Sequence, residues 1–153
     1  MNLENKQCYV FETRHAELAS VADKVASLLR QSQARPFVLW LQGELGAGKT
    51  TFTGFLLHAL GLPQSVPVLS PTYAYLTEYE TACGLCAHID LYRLVDGGAE
   101  TLETLLSGRA YAGIIVEWPL RAADSPYISR THEIRFDFGR FSDERRLQLE
   151  VFV

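Results

Sequence analysis

Long apolar runs, positive charge and cysteine are all scarce in this chain, and each scarcity excludes something. The longest apolar stretch, Phe37-Val38-Leu39-Trp40-Leu41, is strand-sized, whereas a membrane-crossing helix needs about 20 such residues. Lysine and arginine total 14 against 18 acidic residues, a formal net charge of −4. That balance argues against a protein that grips nucleic acid by itself, which calls for a basic face. Arg130, Arg135, Arg140, Arg145 and Arg146 crowd the C-terminal part, where they read as a solvated surface flanking two strands. The three cysteines, Cys8, Cys83 and Cys86, fit reduced thiols rather than a disulfide framework. Cys83 and Cys86 lie near His88, but no second Cys/His pair offers the four ligands of structural zinc. Met1-Asn2-Leu3-Glu4-Asn5-Lys6 holds no apolar export core, so the expected compartment is the cytoplasm, with no membrane association. Internal repeats, low-complexity tracts and linkers are absent too.

What is present is ordinary bulk and one unusual octet. Apolar residues make up 48% of 153 and charged residues 21%, enough to build a core, so a single domain over 1–153 is expected. Residues 43–50 read Gly-Glu-Leu-Gly-Ala-Gly-Lys-Thr, a full G-x-x-x-x-G-K-S/T phosphate-binding loop. A chance match in a glycine-rich turn is the bland alternative. The apolar strand before the loop and the helical pattern Thr51-Phe52-Thr53-Gly54-Phe55-Leu56-Leu57 after it supply the context the motif requires. Gly43, Gly46 and Gly48 let the backbone curl with its N–H groups inward, with Glu44, Leu45 and Ala47 completing the turn. Lys49 places a charge on the outer phosphates, and the Thr50 hydroxyl can ligate Mg²⁺, with Thr51 beside it.

Patterning around the loop predicts a mixed α/β domain. Cys8–Phe11 reads as a short strand, Thr13 as a helix cap, and Leu18, Val21, Ala22, Val25, Leu28 and Leu29 as the buried face of a helix. The helix after Lys49 should stop at Gly61, and the prolines of 61–72 make that stretch a loop. Strands are expected over Tyr73–Glu80 and Ala87–Tyr92 around a turn at Thr81–Gly84, with a short helix over Ala99–Leu106. Gly113–Glu117 is apolar up to its final Glu and reads as a buried strand. Ile134, Phe136 and Phe138 alternate with polar residues, as do Leu147, Leu149, Val151 and Val153, which gives an antiparallel hairpin. Parallel and antiparallel strands therefore share one sheet flanked by helices, the architecture of a P-loop NTPase domain with unusual antiparallel content.

A phosphate loop needs carboxylates to hold Mg²⁺ and an acceptor. Glu117 ends the buried strand and is the Walker B candidate, against the plain reading of an acid marking a strand end. Asp90 suits Mg²⁺ ligation, directly or through water, or else is a surface carboxylate. Ser70-Pro71-Thr72-Tyr73 sits where nucleotide switches carry a Thr that senses the γ-phosphate, and equally reads as turn chemistry. Arg93 could neutralise transition-state charge or make a structural ion pair, and Trp118 could stack near the nucleotide or pack at a rim.

In order, GELGAGKTT at 43–51, SPTY at 70–73, HIDLYRL at 88–94 and VEWP at 116–119 resemble the bacterial tRNA threonylcarbamoyladenosine biosynthesis ATPases of the TsaE (YjeE) type. The resemblance implies an ATP-binding, Mg²⁺-dependent single domain with weak intrinsic ATPase activity. It implies work with TsaD and TsaB in modifying the adenosine beside the tRNA anticodon, hydrolysis resetting that complex, and tRNA touched indirectly or weakly. By motif, Lys49 and the loop backbone bind phosphates, and Thr50 and Asp90 serve Mg²⁺. Glu117 is the catalytic or metal-linked carboxylate, Thr72 belongs to the switch-like loop, and Trp118 lies beside the nucleotide. The chain departs from the family pattern at Glu44, where Asp is common, and at Asp96-Gly97-Gly98-Ala99-Glu100 and Ser107-Gly108-Arg109-Ala110, which align only loosely.

The alternative from another class is a small-molecule P-loop kinase, which wants an arginine-rich lid; no such segment occurs between residues 109 and 130. A GTP switch wants an N/T-K-x-D guanine-reading motif, which the chain lacks.

Overall fold

The computed structural model describes residues 6–95 and 98–152. Met1–Asn5, Asp96, Gly97 and Val153 lie outside them, so the loosely aligned Asp96-Gly97 step and the last apolar residue of the expected hairpin are not placed. Seven strands form one sheet: β1 (Gln7–Arg14), β2 (Phe37–Gly43), β3 (Leu76–Thr81), β4 (Gly84–Asp90), β5 (Gly113–Glu117), β6 (His132–Phe138) and β7 (Glu144–Val151). The spatial order is β1-β7-β6-β2-β5-β4-β3. The four central strands, β6, β2, β5 and β4, run parallel. Antiparallel pairs close both sides, β1 with β7 and β7 with β6 at one, β3 with β4 at the other.

Helices cover the sheet as the apolar patterns require. α1 (Leu18–Gln31) turns Leu18, Val21, Ala22, Val25, Ala26 and Leu29 inward and packs on α2 (Lys49–Ala59). Together they bury Leu39, Leu41, Ile115, Ile134, Phe136, Leu147 and Leu149 on one face of the sheet. The opposite face carries Val38, Trp40, Ile89, Ile114 and Val116 under Leu102 and Leu106 of α3 (Gly98–Leu106). Period-two alternation assigns each central strand one set of side chains per face, so the parity of a residue decides which helix layer it meets.

Three local expectations are corrected. Thr13 lies inside β1, paired with Arg145, and caps nothing. Its extended backbone continues to Arg14, and a 3₁₀ turn at His15–Glu17 intervenes before α1. The strand expected from Tyr73 begins at Leu76 instead, because Tyr75 adopts a left-handed φ of 65° and breaks the extended run. Phe138 ends β6 at 48% exposure; it shares the parity of Ile134 and Phe136 but has run past the helix layer, and the Arg145 guanidinium lies 4.5 Å from its ring centre.

Register fixes which end of the sheet does what. Gly43 is level with Phe136, while Leu39 is level with His132. Val151 pairs with both Gln7 and His132. The first and last described strand residues therefore sit at the end of the sheet opposite the phosphate loop.

Candidate phosphate-binding site

β2 delivers the chain between two parallel neighbours, and the loop leaves from its carboxyl end, where open α/β sheets form a crevice. The approach is tight: a Cβ on Gly43 would sit 2.9 Å from the Phe136 carbonyl oxygen. At the other end of the loop Gly48 precedes α2 with φ +105° and no side-chain cap. The first-turn N–H groups of α2 thus have no acceptor in the helix and face outward with the positive end of its dipole. The Lys49 ammonium is buried and donates to Gly43 O (2.7 Å) and Glu44 O (2.9 Å). It lies 4.3 Å from the Trp118 ring centre. Burial pushes the Lys49 pKa down, and the carboxylates of Glu117, Asp90 and Glu44 oppose that shift.

The two carboxylates arrive from neighbouring strands. Asp90 ends β4 and Glu117 ends β5, and parallel pairing sets them level. Both lie on the α2 side of the sheet, and each is only 3% exposed. The Thr50 hydroxyl contacts both Glu117 oxygens, Oε1 at 2.9 Å and Oε2 at 3.1 Å. His88 Nε2 lies 2.8 Å from Glu117 Oε1. Asp90 Oδ2 accepts from the Thr72 hydroxyl (2.7 Å) and the Ser70 hydroxyl (3.0 Å), and Oδ1 accepts from the Tyr92 N–H (2.8 Å).

The donors facing this space are hydroxyl and carboxylate oxygens, the chemistry of a hard cation. Among the described residues no cluster of three or more His, Cys, Asp and Glu could hold a metal ion. A cation here must take part of its shell from phosphate and water, as Mg²⁺ does. The donor set therefore fits a Mg²⁺-bound phosphate group.

Leu45, Gly46, Gly48, Lys49, Thr50, Thr51, Thr72, Asp90, Glu117 and Trp118 line one cleft of about 380 Å³. Gly43 and Glu44 line an adjoining one, which Trp118 also borders. The Ala47 side chain is fully buried in the core beneath the loop. Trp118 takes a left-handed φ of 57°, which turns the chain out of β5 and brings its ring to 5.0 Å from that of Tyr92. Arg93 lies over the Tyr73 ring at 4.5 Å. His15, Ser70 and Tyr92 also line the cleft without having been singled out as site residues.

Arg145 corrects the reading of the C-terminal arginines as solvated. It is buried, and donates from Nε to Ala47 O (2.9 Å), from NH2 to Gly46 O (3.3 Å) and from NH1 to Ser142 O (2.6 Å). The signal lay in the alternation: Arg145 has the same parity as Leu147 and Leu149, the inward residues of β7.

A strand, a glycine loop, a helix N-terminus and two level carboxylates on adjoining parallel strands define a P-loop protein of the α/β class. The model of the family described as "Threonylcarbamoyl adenosine biosynthesis protein TsaE" matches residues 13–147, and the chain belongs to that family. Relatives named tRNA threonylcarbamoyladenosine biosynthesis protein TsaE include one from Haemophilus influenzae, 42% identical over 80% of this chain and 75% of its own length. One from Aquifex aeolicus is 46% identical over 50% of this chain and 54% of its own. The Bacillus subtilis relative is 36% identical over 62% of this chain and 59% of its own. A crystal structure of Bacillus subtilis YdiB superposes with a TM-score of 0.69, covering 100% of this chain and 90% of that one at 23% identity, which shows a shared fold.

Proposed function

We propose that this chain is a weak Mg²⁺-dependent ATPase required for threonylcarbamoyladenosine modification of tRNA. It acts on a TsaD–TsaB complex in the cytoplasm to support turnover, and residues 1–153 work as one unit. The observation that carries this reading is the convergence of Lys49, Thr50, Thr72, Asp90 and Glu117 on one cleft at the positive end of α2.

Each residue then has a task. The loop N–H groups and Lys49 hold the phosphates, the ammonium leaving Gly43 O and Glu44 O for phosphate oxygens of higher charge. Thr50, Asp90 and Glu117 would hold Mg²⁺. That ion, when bound, neutralises charge on the phosphates. Glu117 orients the attacking water and accepts its proton. Thr72 ties the 61–75 loop to Asp90, so a ligand that moves Asp90 moves that loop as well. Trp118 and Tyr92 wall the cleft. Leu45 beside it and Leu120 in the adjoining cleft are 64% and 67% exposed, which supports a protein partner at the mouth. The acidic balance supports tRNA held by partners rather than by this chain.

Depletion from the native cell tests the reading. Threonylcarbamoyladenosine should fall in total tRNA and return with the wild-type chain, but not with Lys49→Ala or Glu117→Ala. Unchanged modification would sink the proposal. Pull-downs in ATP and in ADP should recover TsaD- and TsaB-type proteins. Phosphate transfer to a metabolite, with little release to water, would instead give the small-molecule kinase.

A further inference from the structure

Glu117 is gripped from two sides. The Thr50 hydroxyl donates to the carboxylate, and its oxygen keeps a lone pair for the cation when the site is loaded. The other grip is His88, whose Nε2 lies 2.8 Å from Glu117 Oε1. It stays in place because His88 is fully buried within β4. Its second ring nitrogen, Nδ1, is buried and has no hydrogen-bond partner among the described residues.

Hydrogen-bond chemistry then gives the imidazole its role. An ionised carboxylate only accepts, so Nε2 must carry a hydrogen. The sheet explains the reach. His88 and Asp90 alternate onto the α2 face of β4, and the register sets Asp90 level with Glu117 and His88 level with Ile115 two residues earlier. The imidazole therefore approaches Glu117 from below, on the side away from the cleft.

We propose that His88 is a positioning residue: its Nε2–H anchors Glu117 Oε1 and leaves Oε2 for the cleft. Its effect falls on turnover rather than on nucleotide affinity. This rests on the hydrolytic reading given above, since an anchor for Glu117 matters only if Glu117 acts on water or cation.

Two substitutions separate the donor from the bulk. In His88→Gln the amide nitrogen reaches roughly where Nε2 lies, whereas in His88→Asn the shorter side chain falls short. Both variants should bind ATP within about threefold of wild type, while single-turnover hydrolysis falls about thirtyfold in His88→Asn and less than about fivefold in His88→Gln, in the range known for partners that orient a functional carboxylate or ligand. Hydrolysis at the wild-type rate in His88→Asn overturns the proposal. So does equal loss in both variants when their melting temperatures match wild type. A measurement on the unaltered chain guards against misfolding: long-range ¹⁵N–¹H spectra of labelled histidine should show a hydrogen on His88 Nε2, and an Nε2 without one overturns the proposal outright. If Glu117→Gln abolishes hydrolysis and His88→Asn does not, only this inference fails. If the wild-type chain hydrolyses no ATP even with its partners, the proposed function fails and this inference with it.

Discussion

Lys49 is buried beneath an aromatic ring, with two backbone carbonyls as its hydrogen-bond acceptors. Those partners are neutral, so an anion in the cleft offers the ammonium a stronger one. Lys49→Met keeps the length and removes the charge. It should weaken nucleoside triphosphate binding by about 2 to 3 kcal/mol, about a hundredfold in Kd by equilibrium titration. Unchanged affinity would show that the loop amides alone hold the ligand. The octet at 43–50 was legible because everything it needs is local: spacing, a preceding strand and a following helix. The Thr72–Asp90 contact was only half legible. The sequence places a hydroxyl and a carboxylate 18 positions apart, and antiparallel pairing of β3 with β4, with Leu76 level with Ile89, brings them together. Local pattern reads Ser70-Pro71-Thr72 equally as a plain turn, whereas both hydroxyls bond to Asp90 Oδ2.

At the level of elements, the β6–β7 hairpin is more than an edge. Arg145 spans from the 139–144 turn to the phosphate loop, holding Ser142 O and Ala47 O at once. Its bonds satisfy the carbonyls of residues 46 and 47. Arg145→Met should lower stability by about 2 to 3 kcal/mol in urea denaturation, because carbonyls under the loop lose their donor. Nucleotide affinity should fall with it. Arg145→Lys should recover little of either, since a single ammonium cannot span the acceptors that the guanidinium fork reaches. A Lys variant equal to wild type would show that charge alone matters there. The hairpin itself was legible from alternation, and the same alternation marked Arg145 as inward. Composition pulled the other way: five arginines near a polar turn look like surface, and nothing local shows that the loop's carbonyls lie opposite.

For the molecule as a whole, acid is the weak side. His132 is buried at the start of β6, and burial, helped by the charge of Arg35, pulls its pKa from 6.5 down to about 4. The neutral ring is thus the form that folds. Its contribution is complete above pH 6.5 and is lost as pH falls from there toward 4. The loss should approach about 3 kcal/mol. Urea midpoints measured across that window should drop, and His132→Gln should flatten the part due to this group; an unchanged slope would place the acid sensitivity elsewhere. The α/β class and the mixed sheet were legible from strand length, burial pattern and the loop. The order β1-β7-β6-β2-β5-β4-β3 was not, because placing β6 beside β2 depends on contacts almost a hundred residues apart, such as the bond from the Val38 N–H to the Thr131 hydroxyl. The family resemblance rests on four short motifs in order, which no single element could have supplied.

The pairing of Val151 with both Gln7 and His132 has a practical side. Polypeptide joined at Gln7 or at Val151 departs from the floor of the molecule, and the crevice opens at the roof. An affinity handle, a fluorophore or a second folded module can be attached at either point without crossing the route by which ligand enters. Chains tethered to a sensor chip by those points would stand with the crevice toward the flowing solution.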